Sequence, residues 1–306
     1  MEERLQKFVK LVEAGSFTKA AEIMHISQPA LTVAIAKLER ELGAQLMVRD
    51  TRPLELTEAG KVAYSSGIAQ GVVLDNLRTE LSDVAGRRPV VALGMIDSAA
   101  AVLSAYATPL SHLGEAADIS VIVNDSQLLR ESTAVRALDL AIVAADFDAK
   151  SEPHIANELM VLVTSPMERA SKEAELKNGT LTDFISYPHT SLTQQTVAKH
   201  MHAKGITLET RFQSSSPEVI IHMVVSGGGV ALLPFFMVRS HIITGSLAVV
   251  QYQNEPLTID RSLSISTVQG KHQAKCVTQF VEEVTVVLEA AYNEAMSAVH
   301  TKKRGR

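Results

Sequence analysis

Residues 15–31, GSFTKAAEIMHISQPAL, read as two short helices joined by a turn, and no other stretch restricts the chain as much. Ser16 is a hydroxyl placed to cap a helix whose apolar residues, Phe17, Ala20, Ala21 and Met24, recur at spacings of three and four, which makes one buried face. His25 and Ile26 form the turn. Ser27 caps a second helix with Gln28 in its first turn and Pro29 where a missing N–H costs little. Gln28 is thereby presented outward at a helix tip. A glutamine there can pair bidentately with an adenine edge, and the free N–H groups of a helix start suit phosphate, so the pattern fits a helix entering the major groove of DNA. An ordinary helical hairpin has the same spacing, and residues 15–31 alone leave both readings open.

The residues that follow favour the first. The second helix continues through Leu31, Ile35, Leu38 and Leu42 as an apolar stripe, with Thr32, Lys37, Glu39 and Arg40 mainly elsewhere on its surface, and Gly43 stops it. Residues 46–56, LMVRDTRPLEL, are two short extended runs around a polar turn holding Arg49 and Arg52, the pattern of a β-wing with arginines at its tip. Thr57-Glu58-Ala59-Gly60 opens a long helix with apolar positions Val62, Ile68, Val72, Leu74, Leu77, Leu81 and Val84, which ends near Gly86 and Pro89. Pairing with its copy in a second subunit is the expected way to bury that stripe.

The order of these elements and the signatures AGSFTKAAEIMHISQPALT, KLERELGAQLMVR and LELTEAG resemble the LysR-type transcriptional regulators, and the resemblance extends over the whole chain. Thr32 stands where the family usually has serine and Met47 where it usually has phenylalanine; both replacements keep the chemistry needed. The resemblance implies an α/β chain in three parts. Residues 1–60 form a winged helix-turn-helix DNA-binding domain and residues 61–88 a linker and dimerisation helix. Residues 89–306 form an effector-binding domain like a type 2 periplasmic binding protein, with subdomain I about 89–162 and 267–300 and subdomain II about 163–266. It further implies double-stranded promoter DNA, RNA polymerase and a small-molecule effector as partners, in a homodimer or homotetramer. Gln28, Pro29 and Ala30 are expected near base edges, with Ser27, Thr32, Lys37, Arg49 and Arg52 mostly on phosphates or in the minor groove.

At 306 residues the chain can bury substantial cores in two or three domains. No apolar run approaches the roughly 20 residues of a membrane span, and the charged N-terminus is no signal peptide, so a cytoplasmic protein is expected. The single Cys276 cannot form an internal disulfide and reads as a packed helix residue rather than a redox sensor. The formal net charge is −5, and residues 1–60 hold eight basic residues (Arg4, Lys7, Lys10, Lys19, Lys37, Arg40, Arg49, Arg52) against nine acidic ones. Bulk attraction to DNA is absent, and affinity must come from local cations and from several headpieces acting together. The basic tail, residues 302–306, reads as a solvated end.

Beyond Pro89, short apolar runs alternate with helices. Residues 90–94, 119–123 and 140–143 read as strands, 102–110 and 128–137 as helices, giving a βαβαβ start. A second set follows: strand 159–164, a helix near 169–176, helix 194–203, strand 209–213, helix 217–226 and strand 230–234, with the chain crossing between halves near Val163 and Ser266. Gly227-Gly228-Gly229 follow a helix and precede a strand, the reverse of a nucleotide loop, and read as a helix stop and close packing. Small side chains, mostly hydroxyls and amides, fall at helix starts after strands: Asp97, Ser98 and Ala99; Ser126 and Gln127; Thr190, Ser191 and Thr193; and Ser215. Such ends offer N–H donors and a positive dipole, so a small anion, a carboxylate for instance, is the expected effector. Each serine can equally cap its own helix. His200 and His202 are two apart on a helix and point to different sides, so no metal site is expected there, and no cofactor elsewhere. No catalytic motif is evident, and an enzyme is not expected. The competing reading is a solute-binding or enzymatic α/β protein whose N-terminal helices only dimerise.

Overall fold

The computed structural model describes residues 1–48, 54–84, 88–134, 136–145, 152–267 and 275–300. Its contacts separate an N-terminal helical unit from a unit built on one large sheet.

The helical unit contains α1 (Glu2–Ala14), α2 (Phe17–Ile23), α3 (Gln28–Leu42) and α4 (Glu58–Val84). Phe8 and Leu11 of α1, Ala20 and Ala21 of α2, and Leu31, Ile35 and Leu38 of α3 close on Leu46 and Ala63 in a single cluster. Each large side chain in it stabilises the fold by roughly 1.5–3 kcal/mol. Ser16 and Ser27 cap their helices by accepting from the N–H groups of Lys19 and Ala30, at 3.2 and 3.3 Å. His25, between them, lies in the left-handed region at φ 52°. Leu42 departs from the expected stripe: it is the last residue of α3 and is 42% exposed. The two runs of the wing meet where Met47 pairs antiparallel with Leu56 and the Val48 N–H donates to the Glu55 carbonyl at 3.0 Å. Its tip, with Arg49 and Arg52, lies outside the described residues.

Thr57 caps α4, its Oγ1 accepting from the Gly60 N–H at 2.9 Å while donating to the Gln45 carbonyl at 2.6 Å. Gly60 is required by close approach: a Cβ there would stand 1.9 Å from the Leu46 carbonyl oxygen. Val62, Val73, Leu77 and Leu81 are all at least half exposed along α4. The side chains of Val72 and Val84 and the stop expected at Gly86 lie outside what is described.

In the second unit, β1 (Val90–Met95), α5 (Asp97–Ala105), α6 (Thr108–Ala116), β2 (Asp118–Val123), the start of α7 (Ser126–Ala134) and β3 (Leu140–Ala144) form the first half; from Glu131 onward α7 groups with the helical unit. Then come β4 (His154–Thr164), α8 (Arg169–Lys177), β5 (Thr180–Ser186), α9 (Leu192–Ala203), β6 (Thr207–Gln213), α10 (Pro217–Val225), β7 (Val230–Pro234) and α11 (Phe235–Thr244). The short β8 (Ala248–Val249), β9 (Gln251–Tyr252) and β10 (Glu255–Pro256) lead into β11 (Thr258–Thr267) and α12 (Lys275–His300). The main sheet runs β2-β1-β3-β11-β4-β7-β5-β6, with β8 added on β4. β1 is parallel to β2 and β3, and β5 is parallel to β6 and β7; the antiparallel pair β4 and β11 stands between the two sets. Alternate residues of β4 and β7 face opposite layers. Val161, Val163, Ala231 and Leu233 pack with α10, α11 and α12, while Met160, Leu162, Val230 and Leu232 pack with α8 and α9.

Three sequence expectations are corrected here. The helix expected over 102–110 is two: α5 ends at Ala105 and α6 begins at Thr108, with Pro109 in its first turn, where a missing N–H costs little, whereas one continuous helix would lose the bond from residue 109 back to Ala105. The strand expected at 159–164 begins at His154, through Asn157 and Glu158, whose polarity hides it. β5 was not foreseen at all, since Thr180, Thr182 and Asp183 break its apolar run, although it lies between β7 and β6 in the second half. Gly229 is one of the close-packing glycines expected; a Cβ on it would stand 2.0 Å from the Asp183 carbonyl oxygen.

Candidate functional site

Leu31, Ile35 and Leu38 turn one side of α3 inward, and the opposite side is left to solvent. Gln28, Pro29 and Ala30 occupy its exposed first turn, and Thr32 and Lys37 are exposed further along. Ser27 is exposed too, but its hydroxyl is engaged as the cap. Thr32 Oγ1 donates to the Gln28 carbonyl at 3.0 Å. From Gln28 to Lys37 the helix rises about 14 Å at 1.5 Å per residue, which spans a major groove about 12 Å wide. Sequence reasoning missed Val33, which is 53% exposed between Gln28 and Lys37 on this side; an apolar residue off the buried stripe was the available signal. Glu39, expected only as a surface residue, fixes the wing root by accepting the Leu46 N–H at 2.8 Å.

The second constellation lies at the carboxyl ends of the parallel strands. Asp97 and Ser98 open α5 directly after β1, and Ser191 and Thr193 open α9 after β5. The two strands stand on opposite sides of the β4–β11 pair, so these helix starts form two walls with β4 and β11 between them. Arg261 of β11 is opposite Glu158 of β4 in the strand register. Its Nε donates to Glu158 Oε2 at 2.8 Å, and one terminal nitrogen also reaches Glu158 Oε2. That same nitrogen donates to Ser98 Oγ at 3.0 Å, and the other donates to Thr193 Oγ1 at 2.6 Å. Arg261 is only 6% exposed and Glu158 9%. Sequence reasoning named Ser98 and Thr193 and missed the guanidinium that joins them. The signal was present, for Glu158 and Arg261 are charges inside otherwise strand-like runs.

Asp97 is half-buried, and burial raises its carboxyl above the ordinary range; Glu218 raises it further and Arg261 opposes both. Burial likewise pushes the Tyr187 hydroxyl well up, with Arg261, Glu158 and Asp97 as the charges it feels. Ser186 Oγ, at the end of β5, and Gln194 Oε1, in the first turn of α9, are buried without a partner among the described residues. Such groups call for a ligand or ordered water. Ala99 is buried behind Ser98.

The remaining expected residues serve other purposes or stand apart. Ser126 Oγ is buried and accepts the Ala144 N–H at 3.0 Å, while Asp125 caps α7 by accepting from Gln127 and Leu128. Gln127, Thr190 and Ser215 are exposed. Ser191 caps α9 through the Gln194 N–H at 3.1 Å, and α10 is capped by Ser216 instead of Ser215. His200 is tied to the Thr196 carbonyl and His202 is exposed; among the described residues no group of three or more metal-ligating side chains occurs. Cys276 is half-buried in α12. No helix among those residues is long and apolar enough to cross a membrane.

Two family models match. Residues 3–61 match that for the bacterial regulatory helix-turn-helix proteins of the lysR family, and residues 85–288 that for the LysR substrate binding domain. The nitrogen assimilation regulatory protein Nac of Escherichia coli K12 is 27% identical over 271 residues, covering 86% of each chain. Among solved structures, a full-length OxyR variant from Pseudomonas aeruginosa superposes with a TM-score of 0.60 at 24% identity, covering 93% of this chain and 94% of that one. Full-length LysG from Corynebacterium glutamicum, with bound effector arginine, gives 0.57 at 16% identity, covering 94% and 98%.

Proposed function

Because the chain belongs to the LysR family of DNA-binding transcriptional regulators, we propose specific roles for the exposed side of α3 and for the walls around Arg261. Gln28, Pro29 and Ala30 read base edges in the major groove, while Ser27, Thr32 and Lys37 hold phosphates. Arg49 and Arg52, which the sequence sets in the turn between the two runs of the wing, complete the contact on phosphate or in the minor groove. The exposed Val62, Val73, Leu77 and Leu81 pair α4 with a second copy, so that two or four headpieces engage one partly palindromic site in the cytoplasm. The protein works by binding and catalyses nothing. Its output is contact with RNA polymerase, set by headpiece spacing and DNA bend.

The effector is a small anion held between the starts of α5 and α9. The observation that carries this is the Arg261 web: Ser98 and Thr193 accept from the guanidinium, which leaves both hydroxyl protons to be donated onward, beside the N–H groups of two helix starts. The unpartnered Ser186 and Gln194 oxygens add polar contacts at the α9 wall for a ligand that also carries a donor. Asp97 narrows the choice by disfavouring a ligand with several negative charges. The test is a thermal-shift titration of the full chain with acetate, succinate, benzoate and arginine, repeated on Ser98→Ala and Thr193→Val. A ligand at 100 times its Kd stabilises by about 2.7 kcal/mol. The expected result is a concentration-dependent rise with at least one carboxylate, weakened in both variants; equal responses in all three proteins would place the ligand elsewhere.

A further inference from the structure

The bonds of Arg261 exceed what its charge requires. Neutralising a buried guanidinium needs one carboxylate, and Glu158, directly across the strand pair, supplies it through Nε and one terminal nitrogen. The two further bonds go to opposite walls: to Ser98 in the first turn of α5, and to Thr193 in the first turn of α9. These helices follow β1 and β5, which lie on either side of the β4–β11 pair that carries the arginine. One planar, rigid group therefore ties together two walls that have no covalent link nearer than the strands beneath them. A ligand bound between the walls would close them by making the same kind of double contact.

We propose that Arg261 is an internal clamp, holding the two walls together through the protein's own side chains as a bound ligand would. This rests on the reading that the effector binds between those walls. An anion then acts on walls already joined, by changing which atoms bridge Ser98 and Thr193. Glu158 holds the guanidinium at the height where both hydroxyls can be reached, so its part is positioning.

The experiment uses the full chain with spin labels at Ser104→Cys on α5 and Ala198→Cys on α9, both exposed, in a Cys276→Ser background. Labelled subunits are diluted with unlabelled chain so that only distances within one chain are read. Ser98→Ala/Thr193→Val keeps the ion pair and removes both wall contacts; Arg261→Met/Glu158→Met removes the whole web without leaving a buried charge unpaired. Each is compared with the parent, without added ligand, by pulsed dipolar spectroscopy and by footprinting on operator DNA. The expected result is a shift to longer distances in Ser98→Ala/Thr193→Val, with an altered footprint. Unchanged distances in that variant would overturn the clamp and reduce Arg261 to a strand-pairing residue, even if the melting temperature fell. Longer distances with an unchanged footprint would uphold the clamp and contradict the coupling of the cleft to DNA. Should the ion-pair variant fail to fold, the hydroxyl variant still decides, because its ion pair is intact.

Discussion

At Gln28 the exposed amide in the first turn of α3 makes a claim about one base pair. Gln28→Ala is expected to weaken discrimination at that position by about 1–3 kcal/mol while leaving affinity for random DNA unchanged. Fluorescence anisotropy on operator variants checks this, and an equal loss on every sequence would assign Gln28 to the backbone. Gly60→Ala is expected to destabilise by at least about 1–3 kcal/mol, since its Cβ would overlap the Leu46 carbonyl at the root of the wing; chemical denaturation reads this directly. Glu13 carries a pH dependence. Burial pushes its carboxyl from 4.5 up to about 7, with Arg136 and then Lys10 partly opposing. The folded chain then holds a proton the unfolded chain has lost, so this contribution is complete below about 4.5 and declines as pH rises through about 7. Glu13→Gln should flatten that decline in melting temperature between acid and neutral pH, and an unchanged slope would mean that Glu13 titrates normally. Single residues also mark how far the sequence could be read. Ser16 and Ser27 were legible because a cap and its N–H partner are three residues apart. Arg261 was not, because Thr193, Glu158 and Ser98 are 68, 103 and 163 residues away.

Among the elements, α4 leaves the least explained within one chain. Val62, Val73, Leu77 and Leu81 are exposed along a helix of 27 residues. Leu77→Glu and Leu81→Glu together are expected to shift the chain toward monomer in sedimentation velocity and to weaken operator binding more than tenfold, since linked headpieces act at high effective concentration. An unchanged dimer would place the interface elsewhere. α4 could be foreseen from its periodicity, as could β1, β3 and β7, whose apolar runs are uninterrupted. β5 and the beginning of β4 could not. Their polar residues are satisfied by partners outside the local pattern, Thr182 by Glu175 and Lys172, and Glu158 by Arg261. The break between α5 and α6, at Tyr106-Ala107, was signalled by Pro109 two residues on and hidden by the apolar run around it.

Taken whole, the molecule must bind a polyanion while carrying a formal charge of −5. Its attraction is local, so the dependence of operator affinity on salt should count a small number of phosphate contacts per headpiece. The change from helical segments to alternating strands and helices near Pro89 was legible in the sequence because the period of the apolar residues changes there. The Arg261 web was legible only as a set of helix starts, and the side chain that joins Ser98 to Thr193 emerges only in the folded chain.

The most direct measurement is footprinting of the purified full-length protein on the DNA upstream of its own gene and on a genomic fragment pool, at two salt concentrations and against competitor DNA. The account predicts an extended, partly palindromic protected site that survives competitor, falls in occupancy as salt rises, and in Gln28→Ala tolerates a change of the base pair that Gln28 reads. Binding that competitor abolishes on every fragment would contradict the assignment of the exposed side of α3 as a sequence-reading surface.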